Sequence, residues 1–352
     1  MERDTLSFPQ IMVLLFAALM GPAAELLPGA AAQAGIAGAL GVTVAVVLMA
    51  VAGLLVRLPA QDGGLAAGLV RTFGTWGGKA VLTIYIVWFE LLLALRLHRS
   101  AQRLSQCGEQ DGARWFFVLV LAGLSLWMAY GHLGALGRTA QLFFVALCIA
   151  GGAVLILSLF QIETGSLLTD WAWSLEGTTE ILLPGFQVLG YGVFAAFLWQ
   201  STGENRIKSW MFSLSMVWLV LVVVQMVIIG RFGPQLTMEL NNTFFQLAEG
   251  IGVKGAFQRV ESLVAAVWIF SDLLLLGGIL WGIRRISVEL CPGIPMQGVI
   301  VSATCLAIVG GIAVFGVRIP AEKVEHYLIP AGNLILGVGV PGIAGLVGRR
   351  KK

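Results

Sequence analysis

The sequence predicts an all-α polytopic membrane protein of about ten transmembrane helices, and three observations carry that prediction. Of 352 residues, 58% are hydrophobic and only 12% are charged, with a mean hydropathy of +0.90, a balance foreign to soluble chains of this length. Apolar runs of about 18 residues or more recur from end to end, which is the length that crosses a bilayer as a helix. These runs are continuous rather than alternating, which excludes a β-barrel and leaves helices, whose backbones satisfy their own hydrogen bonds in lipid.

The spans fall near residues 8–27, 36–57, 79–97, 115–131, 138–160, 181–200, 209–229, 259–283, 297–317 and 327–347. The first is interrupted at Gly21–Pro22 and stopped at Pro28–Gly29. The second is rich in Gly and Val, the third carries Glu90 and Arg96, and the sixth holds Pro184–Gly185 followed by Gly190–Tyr191–Gly192. Two hydrophilic connections stand out, 161–180 and 230–258. With the N-terminus inside, the inner segments hold more Lys and Arg than the outer ones. The 161–180 connection carries Glu163, Asp170, Glu176 and Glu180 and no base. Both termini are therefore expected in the cytoplasm. The small residues at 29–35 look like a cleavage site, but Glu2 and Asp4 offset Arg3 and the apolar run is broken, so no cleaved leader is expected.

A single membrane domain, 1–352, divides as five spans plus five, with pseudo-repeats roughly 8–160 and 181–347. The first helix of each half is interrupted by Gly or Pro, and such paired interruptions point to an inverted repeat with a binding site at the repeat interface. In helix 1 the candidate substrate residues are Gly21, Pro22, Ala23 and Glu25. Pro22 removes an amide donor and Gly21 permits unwinding, so the segment is either a ligand-binding break or a simple proline kink. Helix 3 offers Tyr85 and Trp88, and helix 6 offers Gly190, Tyr191 and Gly192. Those two glycines either expose backbone to a ligand or merely allow close helix packing. Bulk at Gly21 or Gly190 is expected to abolish a ligand response while leaving expression intact.

Charges at membrane depth cost about 2.5–3.5 kcal/mol on insertion scales, so they usually pair or face a protein interior. Glu90, Arg96, Arg259, Glu261 and Asp272 form that set. Arg96 either snorkels to the interface or pairs within the bundle. Arg259 and Glu261 are either a solvated helix start or part of a polar path. At 3.6 residues per turn, Glu261, Ala265, Trp268 and Asp272 share one stripe. No P-loop, dinucleotide fingerprint, Gly-x-Ser-x-Gly elbow or His/Cys cluster occurs, so no enzyme chemistry, cofactor or metal is expected, and the charge balance of +3 gives no nucleic-acid footprint. Cys148 and Cys305 read as buried small hydrophobes and the histidines as loop residues.

Gly255, Phe257, Arg259 and Glu261 form a Gly-x-Phe-x-Arg-hydrophobic-Glu motif that leads into an apolar helix carrying Trp268. In this the chain resembles the B subunits of spore germination (nutrient germinant) receptors, within the amino acid–polyamine–organocation transporter superfamily. Pro28–Gly29–Ala30 fits that family's end of helix 1. The Asp-Trp pair expected shortly afterwards is absent, and Ala34–Gly35–Ile36–Ala37–Gly38 stands there. The resemblance implies a leucine-transporter-like fold with its site between broken helices 1 and 6 and helices 3 and 8. It implies an amino acid or similar small nutrient as ligand, and a membrane-anchored A subunit and a lipoprotein C subunit as partners. It places the chain in the inner membrane of a bacterial spore. The alternative is an H⁺- or Na⁺-coupled amino acid transporter.

Overall fold

A computed structural model describes residues 6–57, 59–60, 63–107, 114–162, 174–198, 204–240, 243–250, 260–316 and 323–350. These form helices α1 (Phe8–Gln33), α2 (Gly35–Arg57), α3 (Gly64–Cys107), α4 (Arg114–Tyr130), α5 (Leu133–Leu159), α6 (Leu175–Glu180) and α7 (Leu182–Leu189). A 3₁₀ turn, Gly190–Val193, leads to α8 (Phe194–Leu198), α9 (Glu204–Glu239), α10 (Thr243–Glu249), α11 (Val260–Leu290) and α12 (Met296–Gly316). The last span alternates a π turn at Val324–Leu328, α13 (Ile329–Leu334), a second π turn at Ile335–Gly339 and α14 (Val340–Arg350). Among the described residues nine helical segments are long and apolar enough to cross a membrane, and Arg114–Tyr130 is a shorter apolar helix. The protein is an all-α polytopic membrane protein, as its composition predicts.

At the centre lies α1, mostly buried and apolar on nearly every side, with Glu25 the exception. Gln10 accepts from the Ser7 amide at 3.0 Å where it starts, and Gly35, at φ +57°, turns the chain into α2. At the α1–α2 junction Gln225 of α9 donates to the Ala31 and Gly35 carbonyls at 3.0 and 2.9 Å. Further along the same α1–α9 contact, the most extensive in the bundle, Ser209 and Ser213 donate to the Phe8 and Met12 carbonyls at 3.1 and 2.8 Å. Polar side chains thus lace helices together where apolar surface alone gives no preference over lipid.

The outer helices α4, α5 and α12 turn apolar side chains outward, including Trp127, Ile149, Leu306 and Val309, as a bilayer requires. Cys148 and Cys305 are on this exposed surface rather than buried as expected, while His98 is buried inside α3 rather than beside a loop.

Two expectations about broken helices take a different form. Helix α1 stays helical through Gly21 and Pro22 instead of unwinding. The Ser271 hydroxyl of α11 accepts from the Gly21 amide at 2.7 Å and donates to the Ala17 carbonyl at 2.5 Å. One side chain thereby bridges the turn beside Pro22, and it reaches the Ala18 carbonyl, which Pro22 leaves without an amide donor, at 3.5 Å. The sixth span does change character at the predicted glycines, but it tightens into a 3₁₀ turn at Gly190–Val193. The connection 230–258 is partly helical: α9 continues past a bend at Gly233, with φ +69°, and α10 follows.

Candidate functional site

The third span was expected to stop at residue 97, where cations accumulate. It runs instead to Cys107, because those cations are matched. Arg96, Arg99 and Arg103 are spaced by three and four residues and so share one face of α3. Arg96 directs Nε and Nη2 at Asp272 Oδ1, at 3.0 and 2.6 Å, and Nη1 at Glu25 Oε2, at 3.2 Å. Arg103 donates from Nη1 to the same Glu25 oxygen at 2.8 Å and from Nη2 to Asp272 Oδ2. Two cations and two anions close a ring that joins α1, α3 and α11. The Arg103 guanidinium also lies over the Trp268 ring, 4.8 Å from its centroid. The Asp272 side chain is 1% exposed and the arginines 5% each, whereas Glu25 is 21% exposed. Arg96 therefore does not snorkel.

Glu25 is exposed because it also faces a cavity of about 420 Å³, within the size range of small-molecule sites. Pro22 and Glu25 of α1, Arg96 and Arg99 of α3, and Gln187 of α7 form its walls, with Tyr191 of the 3₁₀ turn and Glu325 and His326 of the first π turn. Arg99 pairs with Glu325, Nε to Oε2 at 2.6 Å and Nη2 to Oε2 at 2.5 Å. A larger cavity, lined by Gln33, Glu176 and Glu180, shares His326 with it.

Of the residues singled out from sequence, Pro22, Glu25, Arg96 and Tyr191 meet at this cavity, with Asp272 in the ion ring behind it. The others go elsewhere. Gly21 abuts Ser271, Ala23 and Ala265 are buried in the core, and Gly192 faces Trp210. Trp268 backs Arg103 on one side and on the other lines a separate apolar cavity of about 200 Å³ with Met20 and Phe244. Glu90 of α3 is partly buried, and its Oε2 has no hydrogen-bond partner among the described residues. Arg259, with the motif residues Gly255 and Phe257, lies outside the described residues. Glu261 stands in the first turn of α11, but its side chain lies outside them too.

Tyr85 and Trp88 hold the last span rather than line the cavity. Tyr85 donates to the Leu336 carbonyl at 2.5 Å and Trp88 Nε1 to Asn333 Oδ1 at 3.1 Å. Asn333 in turn donates to the Phe186 carbonyl at 3.0 Å, beside Gly190, where a β-carbon would come within 2.4 Å of the Asn333 side chain. The π turn at Ile335–Gly339 widens the helix where these bonds attach. Trp88→Phe, which keeps a ring and removes the donor, is expected to cost about 1 kcal/mol. Size-exclusion chromatography of detergent-purified protein after graded heating checks this. An unchanged midpoint would show that the bond to Asn333 adds nothing.

Arg99, Arg103, Ser271, Asn333, Glu325 and His326 were missed from sequence. The spacing of the three arginines was a readable signal; the others carried none. Among the described residues no group of three or more His, Cys, Asp or Glu side chains is placed to hold a metal ion.

A family model, spore permease, described as spore germination protein, matches residues 5–315 of the chain. No curated protein matches the chain.

Proposed function

Since the chain belongs to the spore germination protein family, we propose that it is the transporter-like B subunit of a germinant receptor, which binds an amino acid or similar small nutrient within the membrane. The observation that carries this reading is the 420 Å³ polar cavity, walled by charged residues of α1, α3 and the last span around the 3₁₀ turn of the sixth. We read the chain as a leucine-transporter-like arrangement of two pseudo-repeats, 8–160 and 181–347, with the ligand between them and with helix 1 unbroken.

In this reading the ion ring is the rigid floor of the site and the last span is its movable wall. The ring joins three helices through buried charge pairs. The last span meets the cavity through Glu325 and His326 on a π turn and is tied to α3 by Arg99, Trp88 and Tyr85. A ligand that binds one packing of this wall more tightly shifts the population toward it, and the A and C subunits read the shift from the spore's inner membrane. The larger, acidic cavity is the approach route, with both termini on the cytoplasmic side. Neither catalysis nor a cofactor has a part in it.

Spores lacking this chain, tested against an amino acid panel, are expected to lose germination on at least one amino acid that triggers the parent. Restoring the chain is expected to restore that response. An unchanged response to every amino acid contradicts the receptor role.

A further inference from the structure

Deepening the nutrient-receptor reading, on which it rests, we propose that the polar cavity takes a zwitterion end-on, with Glu325 Oε1 accepting the ligand's ammonium. The two oxygens of this carboxylate are unlike. Oε2 takes both contacts from Arg99, at 2.6 and 2.5 Å. Oε1 is buried and has no hydrogen-bond partner among the described residues. The Glu325 side chain is only 7% exposed, yet the residue is part of the cavity wall, so a small movement of that wall opens Oε1 to a ligand. A buried carboxylate oxygen without a donor is unfavourable, and a donor brought by a ligand removes that penalty through a charge-assisted bond. Glu325 also stands in a π turn, an irregularity that recurs at functional sites.

Charge balance disfavours a ligand of net charge. Arg96, Arg99 and Arg103 face Glu25, Asp272 and Glu325, so the pairs around the cavity are formally neutral. A ligand of net charge would leave one charge uncompensated at membrane depth, whereas a zwitterion adds none. With the ammonium at Glu325, the ligand's carboxylate falls to Arg99, whose side chain is 33% exposed against 5% for Arg96 and Arg103. Such a ligand bridges the existing Arg99–Glu325 pair rather than breaking it, and it ties α3 more firmly to the last span.

The test is equilibrium binding to purified wild-type protein in liposomes, using a radiolabelled panel of the protein amino acids. Each amino acid that binds is competed with its own N-acetyl and carboxamide derivatives. Both derivatives are expected to compete at least about tenfold more weakly than the parent. Glu325→Gln is expected to weaken the parent by about tenfold or more and to erase its advantage over the N-acetyl form, with Glu325→Asp recovering part of it. An N-acetyl derivative that competes as well as its parent on the wild type overturns the ammonium assignment and leaves the receptor reading standing. The same holds if Glu325→Gln keeps the full preference. A carboxamide as good as its parent overturns the zwitterion. Failure of the wild type to bind any member of the panel removes the nutrient reading and this assignment with it. The derivative comparison is made on the wild type, so it does not depend on whether a variant folds.

Discussion

Asp272→Asn is expected to leave little folded protein in the membrane. Asp272 is 1% exposed and takes contacts from two arginines, so neutralising it leaves Arg96 and Arg103 sharing Glu25 alone. Breaking a buried pair by removing one partner typically costs about 3–5 kcal/mol, because the other charge stays buried and unmatched. That is a large fraction of the stability a protein has to lose. The measurement is the yield and heat resistance of the monodisperse peak in size-exclusion chromatography. A second variant isolates the cause: Asp272→Asn combined with Arg103→Gln leaves Arg96 facing Glu25, one charge against one. The double variant is expected to be better folded than the single one despite carrying more changes. If the double is worse, packing rather than charge balance explains the first result.

Gly21→Ala should destabilise the protein by about 2–4 kcal/mol, a large effect for one methyl group. A β-carbon at this position would lie 2.5 Å from Ser271 Oγ and 2.8 Å from Ser271 Cβ, so α1 and α11 must move apart. Moving them stretches the bridge from Ser271 to the Gly21 amide and the Ala17 carbonyl, beside the Asp272 that anchors the ion ring. The sequence reading expected bulk here to block a ligand site and spare expression. The structure shifts the expected loss to folding, since Gly21 faces a helix rather than a cavity. Ser271→Ala removes the nearer atom of the clash, so the Gly21→Ala/Ser271→Ala double should lose less than the sum of the singles. Simple additivity would mean that the two residues do not meet as described.

The architecture was legible because a bilayer leaves few choices: continuous apolar runs of spanning length become helices, although among the described residues nine are long enough to cross and Arg114–Tyr130 is shorter. The sixth span's irregularity at Gly190 was legible as well, from the glycines on both sides of Tyr191, which also let Asn333 and Trp210 approach closely. What escaped was pairing between distant helices. Arg99 and Arg103 read as loop charges because nothing local shows that Asp272, far along the chain, neutralises the cations beside them. For the same reason the third span looked shorter than it is. Ser271 was invisible: a serine beside an aspartate says nothing of a proline-weakened turn 250 residues away. Glu325 and Asn333 are bonded by Arg99 and Trp88 from a helix far back in the chain, and no periodicity encodes such pairs. Of the motif that carried the family resemblance, only Trp268 has a described side chain, and it packs on Arg103 of the ion ring rather than lining the polar cavity.

The central claim, a transporter-like bundle that binds a nutrient and reports it instead of moving it, is tested most directly by one paired measurement. Purified protein in liposomes is given a radiolabelled amino acid panel, and equilibrium binding is measured beside time-dependent uptake with and without proton and sodium gradients. Saturable binding without accumulation is the predicted result. Accumulation driven by either gradient contradicts it and makes the chain a secondary transporter.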